Sequence, residues 1–259
     1  MPTVATFNVN SIKARLPNLL DWLAAARPDV VCLQELKCTE EAFPREPIED
    51  LGYNIAVFGQ RGWNGVAILS RSRIEDVLRG LPGDPEDEQA RYIEAFTAGI
   101  RVASVYVPNG NPVGSEKFAY KLAWLDRLRG RARELAEFEE AVVLAGDFNV
   151  IPEPIDCHDP AAWAEDALFR PESRRALRAI LHEGWIDAYR ALHPEERNAY
   201  TFWDYQGGAF QLDHGIRIDH LLLSPEAADR LEEARIDKEP RRRPKASDHT
   251  PVIVRLRDG

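Results

Sequence analysis

VVLAGDFNV, Val142 to Val150, is an apolar run that ends by placing a carboxylate at Asp147 and an amide at Asn149. A short run of this composition predicts an interior strand covered on both faces. Holding an ionised carboxylate beside such a strand is costly unless something compensates it. Two explanations are open. One is an ordinary Asp/Asn turn at a strand end. The other is the rim of a ligand site at the carboxyl end of the strand, where open α/β sheets bind their ligands.

The surrounding composition narrows the classes. The chain has 259 residues, 44% of them hydrophobic, which suits one sizeable core and predicts a single domain over 1–259. A formal charge of -10 argues against a broadly basic nucleic-acid surface. The distribution is uneven, however: acid gathers in Gly83–Glu88 and Glu134–Glu140, and base gathers in Arg241–Lys245, just before Ser247-Asp248-His249. Cys32, Cys38 and Cys157 are too few and too irregularly spaced for a disulfide framework or a thiolate zinc site. No basic segment followed by an apolar one opens the chain, and no run reaches transmembrane length, so a soluble cytoplasmic protein is expected.

Two parts of the chain share a plan. In the first, the strand TVATFNVN leads to a helix around Leu16–Ala26, stopped by Pro28, and then to DVVCLQE, which ends on Glu35. In the second, IRVASVYVPNG leads to a longer helix from Lys117 to Phe138 and then to AVVLAGDFN. Each is strand, helix, apolar strand, carboxylate. Leu16, Leu19, Leu20 and Leu23 fall on one helical face, as do Phe118, Leu122, Leu125 and Leu128. Further strands are expected at GVAILS, IDHLLLS and TPVIVRL. The alternation predicts an α/β fold with two packed mixed sheets and helices outside.

If the strands within each half run parallel, their carboxyl ends share one edge. The polar residues there are Asn8, Glu35, Tyr106, Asn109, Asp147, Asn149, Asp219, Asp248 and His249. The set holds four carboxylates and one imidazole, and no Ser or Cys nucleophile with a matching base. That composition points to metal chemistry. Magnesium prefers oxygen ligands and needs few carboxylates, whereas zinc would want more His or Cys. Amides and a phenol beside the ion suit a phosphate ester.

At this point the sequence resembles the exonuclease III family of apurinic/apyrimidinic endonucleases, within the endonuclease/exonuclease/phosphatase superfamily. TFNVNSIKAR, DVVCLQELK, GWNGVAILS, QARYIEA, VYVPNG, KFAYKLAWL, LAGDFN, YTFWDY, GIRIDHLLLS and SDHTPV carry the likeness, in family order, from Thr3 to Val252. The resemblance implies a four-layer α/β sandwich and one catalytic domain over 1–259. It implies Glu35 as main metal ligand with Asn8 close by, and Asp248 in reach of the ion directly or through water. Asp147 would activate or orient the attacking water, and Asn149 would hold that water and the phosphate. Asp219 would fix the His249 ring, while Tyr106 and Asn109 would contact phosphate oxygens with indirect support from Arg91. The implied ion is magnesium, with manganese as substitute.

The implied activity is cleavage of double-stranded DNA on the 5′ side of abasic sites, leaving a 3′-hydroxyl, alongside 3′ to 5′ exonuclease and 3′-phosphatase or phosphodiesterase activities on blocked 3′ ends. Phe202, Ile216 and Ile218 match an apolar pocket that accepts a flipped sugar lacking its base. Arg241, Arg242, Arg243 and Lys245 would form a basic rim for phosphates, and Trp63 would lie on the DNA face. Leu36, Trp63, Gln206 and Gly207 depart from many relatives, which leaves the balance of activities open. The protein is expected to act as a monomer. The rival readings are another nuclease or phosphatase of the superfamily, and a catalytically inactive RNA-associated regulator of the catabolite-repression control type.

Overall fold

A computed structural model describes all residues 1–259. One sheet holds β1 (Thr3–Asn8), β2 (Val30–Gln34), β3 (Asn54–Phe58), β4 (Val66–Ser70), β11 (Leu231–Ile236) and β12 (Val252–Leu256), in the order β11-β12-β1-β2-β4-β3. The other holds β5 (Glu75–Arg79), β6 (Tyr92–Thr97), β7 (Ile100–Tyr106), β8 (Val142–Asp147), β9 (Ile186–Asp187) and β10 (Asp219–Leu223), in the order β5-β6-β7-β8-β10-β9. The helices are α1 (Ile12–Ala26), α2 (Glu46–Glu49), α3 (Glu116–Ala136), α4 (Pro171–Leu181), α5 (Ala188–Leu192) and α6 (Pro225–Ala228). No helix is long and apolar enough to cross a membrane.

Period-two alternation sorts each strand between two cores. In β8, Val143 and Ala145 face the gap between the sheets with Val4, Val102 and Leu221, while Val142 and Leu144 face α3 and α4. On the other sheet, Ala5, Phe7, Val31 and Leu33 pack under the α1 residues Leu19, Trp22 and Leu23. Helix, sheet, sheet, helix is thus the layering, as expected. Alternation also puts Asp147 in the same inter-sheet row as Val143 and Ala145. Gly146 faces the other way, and a Cβ there would sit 1.8 Å from the Val105 carbonyl oxygen, so the approach of β7 to β8 admits only glycine.

Two local expectations are revised. Helix α1 starts at Ile12 rather than Leu16, because the buried Ile12 anchors a turn before Pro17, and it ends at Arg27 in the left-handed region before Pro28. Strands β1 and β2 are parallel, as are β7 and β8, but β10 runs antiparallel to β8 and β12 antiparallel to β1. Asp219 therefore begins its strand, and Asp248 and His249 precede theirs. Reversed direction brings them to the same edge.

A buried ionic network braces that edge from behind. Arg217 donates to Asp156 Oδ1 at 2.7 Å and to Asp187 Oδ2 at 2.7 Å, and Arg190 Nη2 reaches Asp156 Oδ1 at 2.5 Å. His220 Nε2 donates to the Val150 carbonyl at 3.0 Å, which leaves Nδ1 to accept from Arg217 at 3.0 Å. Burial alone would raise Asp156 and Asp187, but Arg217 outweighs it, helped by Arg190 at Asp156 and His220 at Asp187, and both carboxyls sit below their ordinary value. Their stabilisation is therefore present above the unfolded carboxylate value near about 3.9 and is lost as pH falls through the depressed folded values. Arg217→Met should cost about 3–5 kcal/mol at pH 7, since it strips two buried carboxylates of their main partner and leaves only Arg190 at Asp156. That penalty should shrink toward pH 4, where the stranded carboxyls protonate. Denaturant unfolding at the two pH values checks this, and an equal or larger penalty at pH 4 would contradict it.

Candidate active site

Asp147 closes β8 with only 1% of its surface exposed. Its Oδ1 accepts the Asn149 backbone N–H at 2.9 Å, and its Oδ2 accepts Asn8 Nδ2 at 2.9 Å. Asn8 Nδ2 also donates to Glu35 Oε1 at 2.9 Å, so one amide joins carboxylates from the two sheets. The Asn8 oxygen accepts the Asn10 backbone N–H at 3.0 Å, which orients the side chain so that its amide nitrogen bridges the two carboxylates. Glu35 Oε2 pairs with Lys37 Nζ at 2.9 Å.

The opposite wall is built around His249. Its Nδ1 meets Asp219 Oδ2 at 2.8 Å and its Nε2 faces Asp147 Oδ2 at 3.8 Å. Asp219 stands directly across from Asp147 in the β8–β10 register. Tyr200–Trp203 threads between the two flanking segments: Phe202 bridges to both Ile216 and His249, and the Thr201 hydroxyl accepts the Asp219 backbone N–H at 3.1 Å. Ser247 Oγ ties the His249 loop to β1 by donating to the Asn8 carbonyl at 2.7 Å.

This crowding sets the protonation states. Burial pushes the Asp147 carboxyl up to about 7; His249 opposes the rise, and Asp219 and Glu35 reinforce it. Burial opposes charge on His249, but Asp219, Asp147 and Asp248 together hold the imidazole well above its ordinary value. Burial would also raise Glu35, yet the Asn8 amide, Lys37 and His249 outweigh it and keep Glu35 low. The Tyr106 phenol is kept neutral by burial, with Glu35 and Asp147 adding to the effect.

The donor set fits a hard divalent cation. Ligand atoms of Glu35, Asp147 and His249 lie within 4.8 Å of one another. The carboxylates Glu35, Asp147, Asp219 and Asp248 outnumber the cations His249 and Lys37 beside them, an excess that a bound dication would relieve. Asp219 Oδ1 is buried without a partner, which deepens the negative potential. Asp248 stays outside the triplet, its Oδ1 accepting Asn10 Nδ2 at 3.0 Å.

The remaining expected residues divide. Asn149 Nδ2 donates to the Val107 carbonyl at 2.9 Å, and Asn109 Nδ2 approaches Asn149 Oδ1 at 3.4 Å, so both amides border the cleft. Arg91 lies behind Tyr106, with its guanidinium 4.8 Å above that ring. A recess of about 290 Å³ beside Asp147 and His249 has Trp163, Leu168, Phe202 and Ile218 as its apolar wall. Ile216 lies behind that wall, in the cluster with Ile218 and Leu168. A second recess of about 420 Å³ shares Glu35, Tyr106 and Asn109 and is rimmed by Lys37, Arg91 and Trp63. Trp63 is 74% exposed there.

The basic run is partly spent on structure. Arg241 lies over the Tyr205 and Phe210 rings and donates to the Trp203 carbonyl, Arg242 pairs with Glu239, and Arg243 pairs with Asp21. Lys245 is exposed. Sequence reasoning missed Lys37 and Asn10, which link Glu35 to Asp248, and missed Trp163, Leu168 and the Asn111–Asp166 pair that fastens the next loop. It also missed Lys121, whose signal was present: a lysine on the apolar face of α3, which burial pushes down to about 7 against the pull of Asp147 and Asp166.

Comparison with known proteins agrees with this geometry. Residues 5–249 match the endonuclease/exonuclease/phosphatase family. The chain is 32% identical to an exodeoxyribonuclease III of Haemophilus influenzae, covering 95% of this chain and 97% of that one. It superimposes on an AP endonuclease from Archaeoglobus fulgidus with a TM-score of 0.95 at 42% identity, over 99% of each chain. A Neisseria 3′ phosphatase bound to a product DNA hairpin gives 0.96 at 40% identity, again over 99% of each chain.

If Glu35 anchors the cation, millimolar magnesium or manganese should raise the melting temperature of the wild type and leave Glu35→Gln nearly unmoved. At a hundredfold excess over Kd the gain is about 2.7 kcal/mol. A wild type indifferent to both ions would remove the cation from the site.

Proposed function

The chain belongs to the endonuclease/exonuclease/phosphatase family, and on that footing we propose a DNA-repair phosphodiesterase that cuts duplex DNA on the 5′ side of an abasic site and trims blocked 3′ ends. The observation that carries this is the placement of Asp147: a buried carboxylate facing a charged His249 at 3.8 Å, with Glu35 close by and an apolar recess alongside. We read residues 1–259 as one catalytic domain acting as a monomer, with magnesium as the ion and manganese as a substitute. Glu35 would hold it, with Asn8, Asp147, Asp248 and Asn149 near and His249 facing the phosphate. Bound there, the ion would act as a Lewis acid that offsets charge on the phosphate oxygens.

The chain's own groups account for the rest. A baseless sugar turned out of the duplex enters the recess against Phe202 and Ile218, and an intact nucleotide is excluded by size. This leaves the 5′ phosphate beside Asn109, Asn149, Tyr106 and His249. Asp147 orients a water and accepts its proton, its carboxylate already fixed by the Asn149 backbone N–H and the Asn8 amide. The water oxygen bonds to phosphorus as the P–O3′ bond breaks. The 3′ oxygen takes a proton from solvent, and the products are a 3′-hydroxyl and a 5′-phosphate. His249, held as imidazolium by Asp219, donates from Nε2 to a nonbridging oxygen, and Tyr106 and the two Asn amides add neutral donors. Such preorganised donors act where charge develops.

Arg242, Arg243 and Lys245 suit the outer phosphates, together with Trp63 and Arg91 at the second recess. The acid partners of Arg242 and Arg243 are surface pairs, worth little and easily exchanged.

The test uses a labelled duplex with one abasic analogue, an intact duplex and a 3′-phosphate duplex, each with magnesium and with excess EDTA. Cleavage 5′ to the analogue and release of the 3′-phosphate, with no matching cut in the intact duplex and both abolished by EDTA, are expected. Asp147→Asn and His249→Asn should keep the wild-type circular dichroism and each lose at least about a hundredfold in rate. Turnover of the 3′-phosphate duplex alone would replace the abasic reading with 3′-end processing. Full activity in either variant would remove that residue from the chemistry.

A further inference from the structure

Lys121 lies on α3 in the row that carries Phe118, Leu125 and Leu128, and its side chain is entirely buried. Its Nζ donates to the Asn109 carbonyl at 3.0 Å and to the Asn149 carbonyl at 2.5 Å. These carbonyls belong to separate loops, one leaving β7 and the other leaving β8. Beyond the strand ends the loops share one backbone bond, from Val107 N to the Asp147 carbonyl. The Asn149 side chain adds a second by donating to the Val107 carbonyl, and Lys121 ties the two loops again from behind.

The path to this position has been cleared. Gly110 adopts φ +88°, and a Cβ there would lie 2.6 Å from Lys121 Cδ, so the loop carries no side chain where the lysine stem passes. Nζ has no carboxylate within ion-pair distance. Its two acceptors are the backbones of the very residues whose side-chain amides border the cleft, where Asn109 Nδ2 approaches Asn149 Oδ1. An ordinary core position would be filled by Leu or Met with no polar group to satisfy.

We propose that Lys121 is a positioning residue: by hydrogen-bonding both backbone carbonyls, its Nζ sets the spacing of Asn109 and Asn149 and so aims the two amides at the scissile phosphate. The inference rests on the phosphodiesterase reading above. Two N–H donors suffice, and the amine and the ammonium both have them. Displacements near 1 Å in such groups cost about a hundredfold in rate while leaving remote binding contacts intact.

Lys121→Met removes both donors at similar volume, and Lys121→Leu, which also lacks a donor, serves the same comparisons if the Met variant does not fold. On the abasic duplex, Lys121→Met should lower kcat by about ten- to a hundredfold with KM within about twofold. Placed on the double variant Asn109→Ala/Asn149→Ala, it should lower kcat by less than about twofold, because both groups it positions are gone. The side-chain amide NMR signals of Asn109 and Asn149 should move in Lys121→Met while that of Asn54 stays in place. This readout does not need activity, so a wild type that fails to cleave would sink the phosphodiesterase reading and leave the positioning claim to the spectra. Wild-type kcat in Lys121→Met, the same fold-loss in both backgrounds, or unmoved Asn109 and Asn149 amides would overturn the proposal.

Discussion

Asp147 and Asp219 are directly opposed across adjacent antiparallel strands, buried, on the same face of one sheet. Like charges in that relation destabilise a sheet even in water, and far more in an interior. Everything at the sheet edge answers this constraint. His249 sits between the two carboxylates, within hydrogen-bond reach of one and 3.8 Å from the other. Asn8 crosses from the facing sheet to solvate Asp147 and Glu35 with a single amide. The charge left over is what a dication would neutralise, so the repulsion that burdens the fold is also what prepares it for an ion and an anionic ester.

Such a cluster keeps its geometry only if its supports do not yield. The supports come from separated parts of the chain. Ser247 binds the His249 loop to β1, Thr201 holds the start of β10, and the Arg217 network fastens the loop after Asn149 to the same strand. Each contact fills a buried polar valence, and each fixes a side chain that faces the cleft. Stability and preorganisation are here the same set of bonds, with the cost of burying charge on one side and the gain of aimed donors on the other.

Much of this was legible from the residues. The apolar run Val142–Leu144 and the acid at Asp147 announced a buried strand with a site at its end, and ordered blocks from Thr3 to Val252 gave the family and the layering. Glu35, Asp147 and His249 were singled out because they flank apolar strand runs, and the structure brings them together. Strand direction was not legible, since alternation reads the same both ways; Asp219 was therefore expected at a carboxyl end and lies at an amino end. Trp163 and Leu168 were missed because they come from a stretch with no period, placed by tertiary contacts alone. The run Arg241–Lys245 showed its charge but not its partners, and long-range pairs such as Arg243–Asp21 exist only in the folded chain.

The central claim is that a water placed by Asp147 attacks phosphorus, with no elimination at the sugar. It is tested most directly by cleaving the abasic duplex in ¹⁸O-water under single-turnover conditions and weighing both fragments. The account predicts one ¹⁸O in the 5′-phosphate and an unlabelled 3′-hydroxyl. A 3′ fragment end bearing an unsaturated sugar, with no label in the phosphate, would mean that the backbone breaks by elimination and would contradict it.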